Sequence, residues 1–412
     1  YELKKRKIAI CDVFLECYFN NNSSLDNDII LNNVITNPNY VLKNNLSGIF
    51  KKYISKTETL TYKYKIYGLN MLFTSDSVNT SFGWFADVRA GITLDHVNFE
   101  NVNVTVRGDF NREINIGVIA GNVNSSLVVK NSRVNGTITV VQNGSGAVNV
   151  GGMFGKTNGK VEVTGAPSES TINNSNINAN IAISVSTLQG NNNDINVGGI
   201  VGFVGVSEGN FANISEVNVL ARLTALKYEK ANSTVAMDFA KANIGGVVGY
   251  AQNITINKAI VYPVIAGHSN VGGIAGYVQY AEINDSQVQM LYNINMKNII
   301  AGYNNVGGVV GTAENARLEY TYVRSYTSQD INTYDGNVKV MEAMTSKYLG
   351  AVVVLQNNSP EFATGQYIGG LVGAVTKVKS KDLKLDNSLT INNSYFNSHI
   401  VYNAYASQER AG

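Results

Sequence analysis

The 412-residue chain reads as an all-β protein, a single parallel β-helix (β-solenoid) of about eight to nine three-sided coils with loop insertions. Three observations carry this reading. A short glycine motif recurs eight times, a second motif follows each copy, and the composition joins 57 Asn and 39 Gly to only 4 Pro. Asn and Gly in such excess, with so little Pro, fit many tight turns between short strands rather than a helical bundle.

The glycine motif is an apolar residue, Gly, Gly or a substitute, two apolar or small residues, then Gly. It appears as Ile116-Gly117-Val118-Ile119-Ala120-Gly121 and Val150-Gly151-Gly152-Met153-Phe154-Gly155. It returns as Val197-Gly198-Gly199-Ile200-Val201-Gly202 and Ile244-Gly245-Gly246-Val247-Val248-Gly249. Three more copies start at Val271, Val306 and Ile368, and a degenerate first copy reads Phe82-Gly83-Trp84-Phe85-Ala86-Asp87. First glycines are separated by 34, 34, 47, 47, 27, 35 and 62 residues. A fixed unit with variable insertions is the pattern of stacked repeats from which loops protrude. Each copy is expected to be one strand whose backbone is closely approached by the coils above and below.

The second motif reads apolar, any, polar, small, any, apolar. Examples are Ile172-Asn173-Asn174-Ser175-Asn176-Ile177, Ile283-Asn284-Asp285-Ser286-Gln287-Val288 and Ile391-Asn392-Asn393-Ser394-Tyr395-Phe396. Variants occur at 94–99, 129–134, 214–219, 256–261 and 318–323. Apolar ends around a polar pair predict two short strands meeting at a corner. A coil rise of about 4.8 Å then gives a rod of roughly 40 Å, with ladders of like side chains inside it and Asn ladders at the corners.

The runs of Val-Gly-Gly-Ile-Ala-Gly type, followed by corners of Ile-Asn-Asp-Ser type, resemble the GLUG repeat family over residues 82–401. The resemblance extends earlier through Asn39-Tyr40-Val41-Leu42-Lys43-Asn44-Asn45 and Lys65-Ile66-Tyr67-Gly68-Leu69-Asn70. It implies a β-solenoid from a secreted or surface-attached protein of bacteria or protists. Gly83-Trp84-Phe85-Ala86 departs from the family's Gly-hydrophobic-Phe-Gly in the first coil.

Residues 1–30 are assigned to an N-terminal cap or inter-subunit strand, because the apolar stretch 8–19 lies outside the repeats and open coils expose unpaired backbone. Residues 31–406 form the β-helix, with insertions near 156–171, 184–194, 221–241 and 326–366, and 407–412 are a tail. Within these insertions, 224–238 reads as a short helix and 351–355 as an extra strand. Loops on a rigid scaffold are the usual carriers of recognition.

Formal charge of +2 argues against nucleic acid as the main partner, and no apolar run approaches the roughly 20 residues of a spanning helix. His96, His268 and His399 are scattered, without zinc-protease spacing, so neither a metal nor another cofactor is expected. Asp87, Asp95 and Asp109, or Arg317 and Arg324, do not recur at one coil phase, as an enzyme of this shape would require. Cys11 and Cys17 stand either as buried thiols or as a disulfide across a turn. Tyr320, Tyr322 and Tyr326 alternate as if on one strand face, as sugar-stacking or packing surface.

Asn-x-Ser/Thr occurs fifteen times, about twice the number expected by chance. Candidate N-glycan sites are Asn45, Asn79, Asn103, Asn124, Asn135, Asn143, Asn213, Asn232, Asn253 and Asn357. The expectation is a non-enzymatic extracellular structural or adhesive rod, a glycosylated surface protein or filament subunit that associates with itself or with other surface proteins. The alternative is a carbohydrate-binding or polysaccharide-cleaving β-helix, which a row of carboxylates or aromatics at matching coil phase would favour.

Overall fold

The computed structural model describes residues 64–74, 80–165, 177–205, 212–229, 238–290, 292–293, 296–325, 351–355, 367–376 and 389–404. Among them every regular element is a strand. The strands form three sheets of 14, 8 and 14 strands plus one two-stranded ribbon, and pairing within the three sheets is parallel except where Asp238–Phe239 adds to Asn218–Tyr228. The chain visits the sheets cyclically. Asn218–Tyr228 lies in the first sheet, Asn243–Gly245 in the second and Val248–Asn257 in the third; Ile260–Ala266 then returns to the first, beside the strand it left. This is a β-solenoid-like arrangement, and the eight strands of the second sheet each carry one glycine motif.

The glycine motif is not one strand. Its first glycine ends a second-sheet strand, the second glycine and the following apolar residue make a corner, and a third-sheet strand starts directly after. Val148–Gly151, a bend at Gly152 and Met153, then Phe154–Thr157 show the pattern. The reason for two glycines is the next coil. A Cβ on Gly152 would lie 2.1 Å from the carbonyl oxygen of Gly199, and the same contact is 2.0 Å from Gly199 to Gly246 and 2.2 Å from Gly246 to Gly273. Without a side chain, Gly152 N–H donates to Gly198 O at 3.1 Å and Gly199 N–H to Gly245 O at 3.2 Å. The first two copies carry Trp84 and Val118 at this place; Trp84 N–H still donates to Val118 O at 3.0 Å, and Val118 N–H lies 3.4 Å from Gly152 O. There the core turns aromatic: Trp84 packs edge-on to Phe99 at 5.0 Å, and Phe82 lies 4.7 Å from Phe73.

In seven of its eight copies the second motif is a corner, as expected, and residues 172–176 of the remaining copy lie outside the described residues. His96, Asn131, Glu216, Lys258, Asp285, Tyr320 and Asn393 all have φ between 46° and 56°, the left-handed region that Asn and Asp tolerate best. All but Asn393, in the last coil, donate their N–H groups one coil onward, as Asn131 does to Thr164 O and Lys258 to Asn284 O. The small residue that follows points inward: Ser286 Oγ accepts from Ala259 N–H at 3.1 Å and donates to Asn284 O at 2.8 Å. Ser132 and Ser394 repeat this bridge.

Between corners, ladders of apolar side chains fill the interior. Ile116, Val150, Val197, Ile244, Val271 and Val306 form one fully buried column, and Ile119, Met153, Ile200, Val247, Ile274 and Val309 another. Removing such side chains from water is the main favourable term in folding.

Three of the expected insertions are partly wall. Phe154–Thr157 and Val161–Thr164 are regular third-sheet strands inside 156–171, and 166–171 lies outside the described residues. Ala179–Leu188 covers the start of 184–194, alternating buried and half-buried residues over its whole length. Asn218–Tyr228 covers 221–228, so the helix expected from 224 is strand as far as 228, and 230–237 lies outside the described residues. These ten- and eleven-residue strands pair in register along their length and alternate in burial, with Ile183, Val185 and Thr187 buried and Ser184 and Ser186 half-buried. Ala351–Leu355 is a strand, but it pairs with Ile299–Gly302 and His399–Ala404 and so belongs to the first sheet's wall. The remaining residues of 326–366, apart from the wall strand, and residues 1–30 with both cysteines, lie outside the described residues.

Two substitutions test the glycine ladder. Gly273→Ala forces a Cβ to within 2.2 Å of Gly308 O and is expected to cost about 3 kcal/mol or more, read as a drop in unfolding free energy. Gly91→Ala, with nothing within 4 Å, is expected to stay within about 0.5 kcal/mol of the parent.

Candidate functional site

Two ladders of side chains flank the glycine corners on the outside. On the second sheet, the residue two before each first glycine is Asn in six successive coils. Each carboxamide donates to the one before it. Asn149 Nδ2 donates to Asn115 Oδ1 at 2.8 Å, Asn196 to Asn149 and Asn243 to Asn196 at 2.7 Å, Asn270 to Asn243 at 2.6 Å and Asn305 to Asn270 at 2.8 Å. Asn115 Nδ2 finishes the chain on Glu113 Oε1 at 3.2 Å. In the next coil the same register position is Tyr367, 55% exposed.

On the third sheet, the residue after the third glycine runs Asn122, Lys156, Phe203, Tyr250, Tyr277, Thr312 in register. Phe203 stacks on Tyr250 at 4.9 Å and 9°, and Tyr250 on Tyr277 at 5.2 Å and 14°. Lys156 Nζ closes one end, 5.1 Å over the Phe203 ring and 2.8 Å from both Glu113 oxygens. The hydroxyls point into a polar network: Tyr250 Oη donates to Gln279 Oε1 at 3.0 Å, while Tyr277 Oη and Gln279 Nε2 donate to the Glu314 carboxylate. Burial raises the Tyr250 pKa, and the Glu314 charge adds to it.

The ladders adjoin because the backbones meet. A Cβ on Gly276 would lie 2.5 Å from Ile244 N and 2.7 Å from Asn243 C. Thr312 Oγ1 donates to Asn270 Oδ1 at 2.6 Å, tying the two columns together. Over them lies a groove of about 900 Å³ with Asn243, Asn270 and Asn305 as floor, Tyr250 and Tyr277 on one side and first-to-second-sheet connections on the other. The connection leading to Asn196 is tied down. Asn193 Nδ2 donates to Gly144 O and Gly146 O, and Asn191 Nδ2 to Asn143 O at 2.7 Å.

His268 braces this side of the groove. Its Nδ1 lies 2.7 Å from Ser269 Oγ, its ring 5.3 Å from that of Tyr303, and its carbonyl accepts the N–H groups of Tyr303 and Asn304. Burial pushes the imidazole down to about 4; Asp238 opposes this, while Lys241 and Lys227 add to it. Burial also raises Tyr303, with Asp238 contributing.

The three histidines are not brought together. His96 sits at a corner with Nδ1 2.7 Å from Asp95, and His399 opens the strand His399–Ala404. Among the described residues no group of three His, Cys, Asp or Glu converges as a metal site would require, and no helix is long and apolar enough to cross a membrane. The expected tyrosine stripe is not one strand face. Tyr320 occupies a corner, and Tyr322 stacks instead on Tyr395 at 5.0 Å and 6° beneath Arg324. Tyr326 lies outside the described residues.

Of the candidate glycan sites, Asn103, Asn124 and Asn213 are exposed, whereas Asn135, Asn143 and Asn253 are half-buried. Asn45, Asn79, Asn232 and Asn357 lie outside the described residues. Sequence reasoning missed both outer ladders. Their signal is present: aligned on the glycines, Asn recurs two residues before the first and an aromatic follows the third in three consecutive copies. No protein-family model matches the chain, and neither curated proteins nor solved structures give a match.

Two measurements probe this region. Asn196→Ala removes one buried and one part-buried hydrogen bond and is expected to cost about 2 kcal/mol in chemical denaturation, whereas exposed Asn213→Ala is expected to change stability by less than about 0.5 kcal/mol. The pH dependence contributed by His268 follows from linkage. Folding depresses its pKa from 6.5, so its stabilising contribution is complete above the unfolded value and is lost as pH falls toward 4. Between pH 7 and pH 4 the parent is expected to lose about 2–3 kcal/mol more than His268→Gln. Equal losses would remove the assignment.

Proposed function

We propose that the chain is a non-enzymatic extracellular β-solenoid, a structural or adhesive surface protein or filament subunit. In this reading it is one three-sided helix of eight coils, with Tyr395–Asn397 and His399–Ala404 beginning a ninth. The observation that carries the proposal is continuous stacking: the glycine corners, the left-handed corners and the apolar columns keep one register from coil to coil. Such a scaffold resists local opening, because each strand's backbone groups are satisfied by its neighbours on both sides. The resemblance of the glycine motifs to GLUG repeats supports placement at a cell surface. Exposed sequons at Asn103, Asn124 and Asn213 supply attachment points for N-glycans in a eukaryotic source. Self-association, or docking to other surface proteins, is the corresponding mode of action.

Antibodies against the folded chain are expected to label intact cells of the source without permeabilisation. Labelling that appears only after permeabilisation contradicts the extracellular reading. For a eukaryotic source, treatment with a peptide N-glycosidase is expected to lower the mass of the native protein, and an unchanged mass removes the glycan claim.

A further inference from the structure

The groove over the asparagine ladder has features that a scaffold does not require. Every ladder carboxamide has two N–H donors and spends one along the ladder, so Asn243, Asn270 and Asn305 each keep a second donor. These three are half-buried at the groove floor, while Asn115, Asn149 and Asn196 are sealed. The spare donors recur once per coil, about 4.8 Å apart. The Tyr250 and Tyr277 hydroxyls are engaged in the Glu314 network and their ring faces in mutual stacking, so that wall presents ring edges. Tyr367 differs from both, because at 55% exposure it offers an aromatic surface where the ladder stops.

A ligand for this groove must accept hydrogen bonds at regular intervals, lie against ring edges and stack on one aromatic surface. Charge plays a small part, since exposed Asp194 offsets one of the two lysines, Lys227 and Lys241, that line the groove. At about 900 Å³ the volume falls within the range of small-ligand clefts. We infer that this groove binds a neutral linear glycan, its hydroxyl oxygens accepting from Asn243, Asn270 and Asn305 and one sugar ring stacking on Tyr367. Pyranose rings have an apolar face that suits an aromatic surface, and hydroxyls that suit carboxamides. The inference goes beyond the scaffold reading and is independent of where the chain resides.

Isothermal titration of the full chain with neutral hexasaccharides of β-1,4-glucose, β-1,4-mannose and β-1,4-N-acetylglucosamine tests it. At least one is expected to bind with a dissociation constant below about 1 mM. Tyr367→Ala removes an exposed ring, and Asn192→Trp places a bulky side chain on the exposed lip of the groove. Each is expected to weaken binding at least about tenfold while the melting temperature stays within a few degrees, as for surface substitutions. The inference is overturned if none of the three binds at about 5 mM, if both variants bind as the parent does, or if an oligogalacturonate of equal length binds more tightly than every neutral chain. None of these outcomes bears on surface labelling of intact cells, so the scaffold reading stands or falls separately.

Discussion

The constraint on which the structure depends is the contact between a glycine at one corner and the carbonyl of the same corner one coil on. At Gly152, Gly199, Gly246, Gly273 and Gly308 a Cβ would fall 2.0–2.2 Å from that oxygen. At these five positions the close approach of the coils leaves no room for a side chain, whereas the first two coils accommodate Trp84 and Val118 at the same corner. Once the corner is fixed, register follows on both flanking sheets, since a one-residue slip would expose the inward-facing column. The apolar columns, the serine-bridged corners and both outer ladders inherit that register.

The outer ladders show how a repeat turns a stabilising device into a surface. Between Asn115 and Asn196 the carboxamides are buried and act within the fold. From Asn243 onward the carboxamides are half-buried, and the same residue type in the same register lines an open groove. His268 belongs to the supporting layer: held neutral by burial, it joins the segment around Asp238 and Ala240 to the coil carrying Tyr303 and Asn304.

Much of the architecture was legible because glycine and the Asx corners are local signals with steric causes. The eight glycine motifs correspond one for one to the eight strands of the second sheet. The division of that motif into strand, corner and strand was not legible, since it is imposed by the backbone of the adjacent coil. Part of the extra length between glycine motifs goes into long first-sheet strands, which spacing alone does not separate from loops: Ala179–Leu188 pairs in register with Asn218–Tyr228, with Ile183, Val185 and Thr187 buried and Ser184 and Ser186 half-buried. The groove stayed hidden for a different reason. With 57 Asn in the chain, six at one phase do not stand out, and three aromatics separated by 47 and 27 residues gain meaning only through stacking.

Amide hydrogen exchange, resolved residue by residue by NMR, tests the account most directly. Gly152, Gly199, Gly246 and Gly308 donate their N–H groups to the next coil, so the account predicts that these four exchange among the slowest amides in the chain. Exchange at these positions as fast as in an unstructured peptide would contradict the stacked corner and everything derived from it.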